Sequence, residues 1–142
     1  TLSELIGAGV DAKKNATQLA ADTALVILPG GLPNSRTLSE NVELRYFISE
    51  TAKQGGLVAA ICAAPAIALG GWGLLDGKQF TCYPGMGQDL PTKPIKGARA
   101  IRDGQFITAC GAGAAEEFAF ALVEALYGEK KLDELKNSIV AR

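Results

Sequence analysis

The sequence predicts an α/β fold, a parallel sheet with helices on both faces. Three observations carry that expectation. Short continuous apolar runs at Ala24-Leu25-Val26-Ile27-Leu28 and Leu57-Val58-Ala59-Ala60-Ile61 read as strands buried on both sides. Segments of helical period lie between the strands, as a layered α/β domain requires. Glycine or cysteine stands where the strands end, at Pro29-Gly30-Gly31, Cys62 and Cys110-Gly111-Ala112-Gly113. Ligands of such sheets bind at the carboxyl ends of the strands, so these three loops are expected to converge on one site.

Taken in order, residues 1–21 are weakly patterned and read as a short strand or turn followed by a connecting loop. The first apolar run follows and stops at Pro29-Gly30-Gly31. Ser39 reads as a helix N-cap, with Glu40 in the first turn. Leu44, Phe47, Ile48 and Thr51 recur at i, i+3, i+4 and i+7 and give that helix a mostly apolar face. Gly55-Gly56 ends it. The second strand, Leu57-Val58-Ala59-Ala60-Ile61, leads through Cys62 into a helix of small residues from Ala63, ending by Gly70-Gly71. Gln79-Phe80-Thr81-Cys82 reads as a third, shorter strand. Residues 98–102 and 105–109 flank Asp103-Gly104 as a hairpin. Gly111-Ala112-Gly113 opens a helix over about residues 114–127, with Phe118, Leu122 and Leu126 on one face and Gly128 as its stop. A last amphipathic helix covers about residues 131–140.

Composition narrows the chemistry. The 142 residues form one domain, 48% hydrophobic and 20% charged. A net charge of −1 gives no electrostatic case for nucleic acid or an anionic membrane. No apolar run approaches the roughly 18 residues of a membrane span. Three cysteines without regular spacing make no disulfide framework, which favours a reducing, cytoplasmic compartment. Histidine is absent altogether. That removes a Ser-His or Cys-His pair within this chain and the commonest transition-metal ligand. No metal and no cofactor are expected.

Cys62 carries the strongest chemical signal. A nucleophile on a sharp strand-to-helix turn needs small residues two before and two after it, and Ala60 and Ala64 stand there. A thiol at the start of a helix faces free backbone N–H groups and the positive end of the helix dipole, which favour the thiolate. The alternative is a small buried cysteine in an alanine-rich strand end. Gly30 and Gly31 let the backbone approach a ligand closely, and the N–H groups of Gly31 and Ala63 could together form an oxyanion hole; the alternative is that Pro-Gly-Gly is a common turn. Gly111 and Gly113 precede a helix, where an anion can be cradled. Glu116 and Glu117 suit the first turn of that helix without any catalytic role. Cys82 and Cys110 read as core or strand-end thiols.

Four ordered motifs resemble the ThiJ/PfpI superfamily: Leu28-Pro29-Gly30-Gly31, Ala59-Ala60-Ile61-Cys62-Ala63-Ala64-Pro65, Thr81-Cys82-Tyr83-Pro84-Gly85, and Gly111-Ala112-Gly113 with Phe118-Ala119. They look closest to the branch containing Parkinson disease protein seven. The resemblance implies a flavodoxin-like, class I glutamine amidotransferase-like sandwich, usually a homodimer. It implies that Cys62 is the cysteine of a nucleophile elbow and that Gly31 and Ala63 supply the oxyanion-hole amides. Gly30, Tyr83, Gly111 and Gly113 then line the site. Tyr83 stands where many members place a histidine, which counts against a Cys-His peptidase. Its hydroxyl can orient a substrate, and its ring can equally well pack. Members also begin with a βαβ segment that contributes a carboxylate beside the cysteine. No position here matches that carboxylate. The resemblance therefore implies a domain lacking its first strands, with an exposed sheet edge that a separate N-terminal segment would complete.

The expected function is a cofactor-independent, cysteine-dependent glyoxalase or deglycase acting on small 2-oxoaldehydes or their adducts. The alternatives are an oxidative-stress sensor or holdase chaperone working through Cys62 oxidation, a thiazole-biosynthesis-labelled member of unknown activity, and a fragment inactive by itself.

Overall fold

A computed structural model describes residues 10–141, with side chains from residue 13 onward. The elements are α1 (Val10–Ala21), β1 (Leu25–Leu28), α2 (Leu32–Glu40), α3 (Val42–Lys53), β2 (Leu57–Ile61), a π-helical segment (Pro65–Gly70), β3 (Ala100–Asp103), β4 (Phe106–Ala109), a 3-10 turn (Ala112–Ala114), α4 (Ala115–Tyr127) and α5 (Glu129–Ser138). The sheet order is β1-β2-β4-β3. β1 runs parallel to β2, and β2 parallel to β4. β3 pairs antiparallel with β4 across the expected hairpin, with Asp103 opposite Phe106 and Gly104 at a φ of 59°.

Strand alternation divides the core into two layers. Val58, Ala60, Leu28 and Phe106 face one side, where Ala16 and Ala20 of α1 and Phe47 and Ile48 of α3 pack. Ala59, Ile107 and Ala109 face the other, covered by Phe118 and Leu122 of α4. Leu126, one turn further along α4, is 37% exposed and falls outside the seam. α5 packs against α4.

Several local expectations are corrected. A helix spans Val10–Ala21 where a strand or turn and a loop were expected, and residues 1–9 lie outside the described residues. Its contact residues include Ala16 and Ala20, both buried, with Leu19 packed beside them. A face built largely on alanine is too small to register as an apolar stripe. Ser39 is no N-cap: it lies inside α2, and its hydroxyl donates to the Arg36 carbonyl at 2.7 Å. The cap of α3 is Asn41, whose Oδ1 accepts the Leu44 N–H at 2.7 Å.

Gln79-Phe80-Thr81-Cys82 forms no strand. Its backbone groups are satisfied irregularly. The Thr81 N–H goes to Thr108 Oγ1 at 3.0 Å, the Gln79 N–H to Asp103 Oδ2 at 2.8 Å, and the Phe80 carbonyl accepts from Ile95 N–H at 2.8 Å. Side-chain acceptors replace a ladder, so the segment follows the sheet without joining it. The helix after Cys62 is wound as a π-helix over Pro65–Gly70, with the Gly71 N–H reaching back five residues to Ala66.

Candidate active site around Cys62

Cys62 follows the last residue of β2 and has a φ of 66°. A side chain in this left-handed region is strained by about 1–2 kcal/mol. Both of its backbone polar groups are pinned. The Cys62 N–H donates to the Ala109 carbonyl at the end of β4 (2.9 Å), and its carbonyl accepts from Tyr83 N–H (2.8 Å). Two neighbouring segments thus hold the turn that the left-handed residue makes. Ala60 and Ala64, two before and two after, are completely buried, as a tight elbow demands. Ala63 is 1% exposed.

The glycine loop after β1 closes on this turn. A Cβ added to Gly30 would lie 2.6 Å from Cys62 Cβ and 3.4 Å from its Sγ, so only glycine fits there. Gly31 has a φ of 88° and is the N-cap of α2, its carbonyl accepting the Ser35 N–H at 2.8 Å. Asn34, which the sequence reading passed over, donates from Nδ2 to the carbonyls of Pro29 and Gly30, each at 3.2 Å. The signal for it was an Asn in the first turn after a Gly-Gly loop, a position from which short amides bond back to the backbone.

Tyr83 is half exposed, and its ring packs on Gly111: a Cβ at Gly111 would stand 3.8 Å from Tyr83 Cδ2. Tyr83 thereby links Cys62 to the third loop. Gly113 lies on the exposed side of that loop, where its carbonyl accepts from Arg99 Nη2. Arg99 also pairs through Nε with Glu117 and accepts the Cys110 N–H at its carbonyl. The hydrogen bond and charge of Arg99 hold the Glu117 carboxyl below the usual carboxylate range. Arg99 carries no signal in the sequence, because a cross-element pair leaves no local pattern.

Cys82 is buried, and desolvation, reinforced by the nearby Cys62 thiol, pushes its pKa up to about 11. It is a neutral donor to the carbonyls of Tyr83 and Met86, at 3.6 and 3.5 Å. Cys82, Tyr83 and Cys110 line a cleft of about 480 Å³ together with Met86, Lys96 and Arg99. Cys62 stands outside that cleft.

A mostly parallel sheet with helices on both faces, carrying at the end of β2 a cysteine in left-handed conformation, has the geometry of an α/β fold with a strand-to-helix elbow. The chain belongs to the DJ-1/PfpI family, whose sequence model matches residues 3–125. It is 38% identical to Protein DJ-1 homolog A of Arabidopsis thaliana across 94% of this chain and 37% of that protein. The glutathione-independent glyoxalase DJR-1.2 of Caenorhabditis elegans is 31% identical across 78% of this chain and 59% of its own length. The crystal structure of Drosophila melanogaster DJ-1beta superposes with a TM-score of 0.79 at 35% identity, covering 89% of this chain and 69% of that one. The chain thus spans little more than a third of its Arabidopsis relative. Among the described residues, no helix is long and apolar enough to cross a membrane.

Proposed function

We propose that Cys62 is the nucleophile of a glyoxalase-type reaction on small 2-oxoaldehydes. The observation that carries this reading is the left-handed, doubly pinned backbone of Cys62 at the end of β2, with Gly30 packed against its Cβ and Sγ. The name of the Caenorhabditis elegans relative supports the same substrate class.

In this reading the thiolate of Cys62 adds to the aldehyde carbon and forms a hemithioacetal. The N–H groups of Gly31 and Ala63 steady the developing alkoxide. A proton then moves from the hemithioacetal carbon to the adjacent carbonyl carbon through a carboxylate base, giving a thioester. Water hydrolyses the thioester, so methylglyoxal and water leave as lactate and the thiol is regenerated. The oxidation of the aldehyde carbon is balanced by reduction of the adjacent carbonyl carbon, so no outside oxidant or reductant is needed. In this reading the base is a carboxylate on a βαβ segment supplied alongside this chain, since no residue of the chain matches it.

The test is lactate formation from methylglyoxal by the purified protein. In a preparation that also supplies the carboxylate-bearing segment, wild type is expected to be active, and Cys62→Ala to fall to the uncatalysed background. Equal activity in the two proteins rejects the role of Cys62.

A further inference from the structure

We infer that Asn34 is a positioning residue: its amide locks the Gly30–Gly31 peptide so that the Gly31 N–H serves the oxyanion at Cys62. The inference rests on the functional reading above. A trans peptide is planar, and its C=O and N–H point in opposite directions within that plane. The Gly30 carbonyl and the Gly31 N–H belong to the same peptide, so fixing one aims the other. That peptide turns about ψ of Gly30 and φ of Gly31. With no Cβ on either residue, both of its orientations are sterically open. The glycine loop therefore does not hold its own geometry.

Two contacts supply what the glycines lack. The Asn34 Nδ2 donates to the Gly30 carbonyl and to the Pro29 carbonyl, at 3.2 Å each. Together they draw both carbonyls toward the first turn of α2 and turn the Gly31 N–H away from it. On the opposite flank Gly30 is wedged against Cys62, with its missing Cβ 2.6 Å from Cys62 Cβ. The Gly31 carbonyl is tied separately, to the Ser35 N–H, so the start of α2 anchors the far side of the hinge. Asn34 itself is exposed and makes no contribution to the core, so its removal tests orientation rather than folding.

The experiment compares wild type, Asn34→Ala and Asn34→Asp; the aspartate keeps the size and loses both N–H donors. Crystal structures of the variants read the peptide directly. The expected result is a Gly30–Gly31 peptide that is flipped or present in two orientations. A single orientation identical to wild type overturns the inference. With methylglyoxal, both variants are expected to lose about 10- to 100-fold in kcat, with KM within about twofold, because the lost interaction is made in the transition state. Alkylation of Cys62 by iodoacetamide builds no oxyanion and is expected to proceed at the wild-type rate. Wild-type kcat in the variants overturns the inference, and so does a parallel fall of kcat and alkylation, which marks mere structural support. A wild-type protein that leaves methylglyoxal untouched rejects the functional reading instead, while the crystal structures still decide whether Asn34 holds the peptide.

Discussion

Cys82 and Cys62 are neighbours with opposite assignments. Cys62 sits on a strained elbow with its backbone pinned, whereas Cys82 is buried and its thiol is raised to about 11 from an ordinary 9.0. The sign of that shift sets a pH window. A proton bound more tightly in the folded state than in the unfolded one stabilises the fold below the unfolded pKa. That contribution is lost as pH rises from 9.0 through about 11. Replacing Cys82 by alanine is expected to flatten the fall in stability across this window, as measured by urea unfolding at pH 8, 9, 10 and 11. A wild-type and a variant curve of equal slope would contradict it. The comparison between the two proteins isolates the contribution of Cys82.

At the scale of an element, the junction of α2 and α3 shows how one residue separates two helices. Asn41 ends α2 by donating its backbone N–H to the Leu38 carbonyl at 3.1 Å, and starts α3 by accepting the Leu44 N–H on its side chain. Asn41→Ala is expected to cost about 1 kcal/mol of stability, read as a lower denaturant midpoint at unchanged slope. Ser39→Ala, which removes the residue that sequence alone favours as the cap, is expected to lie within about 0.5 kcal/mol of wild type. Sequence and structure part here for a physical reason. Ser39 and Asn41 are equally good caps by type, and only the course of the chain selects one. The same holds for α1, whose alanine contacts carry no periodic signal, and for Gln79-Phe80-Thr81-Cys82, which is buried from Phe80 to Cys82 while its hydrogen bonds go to Thr108 and Asp103. By contrast the positions of β1, β2 and the β3–β4 hairpin were legible, because apolar runs and Asp-Gly turns are local; the expected burial of β1 on both faces is not met, since it lies at the sheet edge with Ile27 48% exposed. The elbow was legible too: Ala60 and Ala64 flank Cys62 in the sequence itself. Asn34 and Arg99 were not, since each matters for the backbone it holds and not for any pattern it forms.

The whole molecule is built on a sheet with unequal edges. β3 closes one side as the outer member of a hairpin. β1 pairs with β2 on its inner side, and among the described residues no strand pairs with its outer side. Yet β1 is Leu-Val-Ile-Leu, the composition of an interior strand, and Ile27 is 48% exposed. Hydrogen exchange on this chain is expected to show the outward-facing amides of β1 at least about tenfold less protected than those of β2 and β4. Equal protection would mean that the outer edge is covered.

The pinning of Cys62 also has a consequence in time. Its N–H is held by Ala109 and its carbonyl by Tyr83, both of which come later in the chain. On a ribosome adding about 5–20 residues per second, the thiol emerges several seconds before the strand that fixes its backbone exists. Until β4 is made, Cys62 is an ordinary cysteine on a flexible nascent chain, with neither its strained backbone nor its neighbouring glycine in place. The strained geometry of Cys62 is thus acquired as a late event of folding, and the interval before it is set by the order of elements along the sequence.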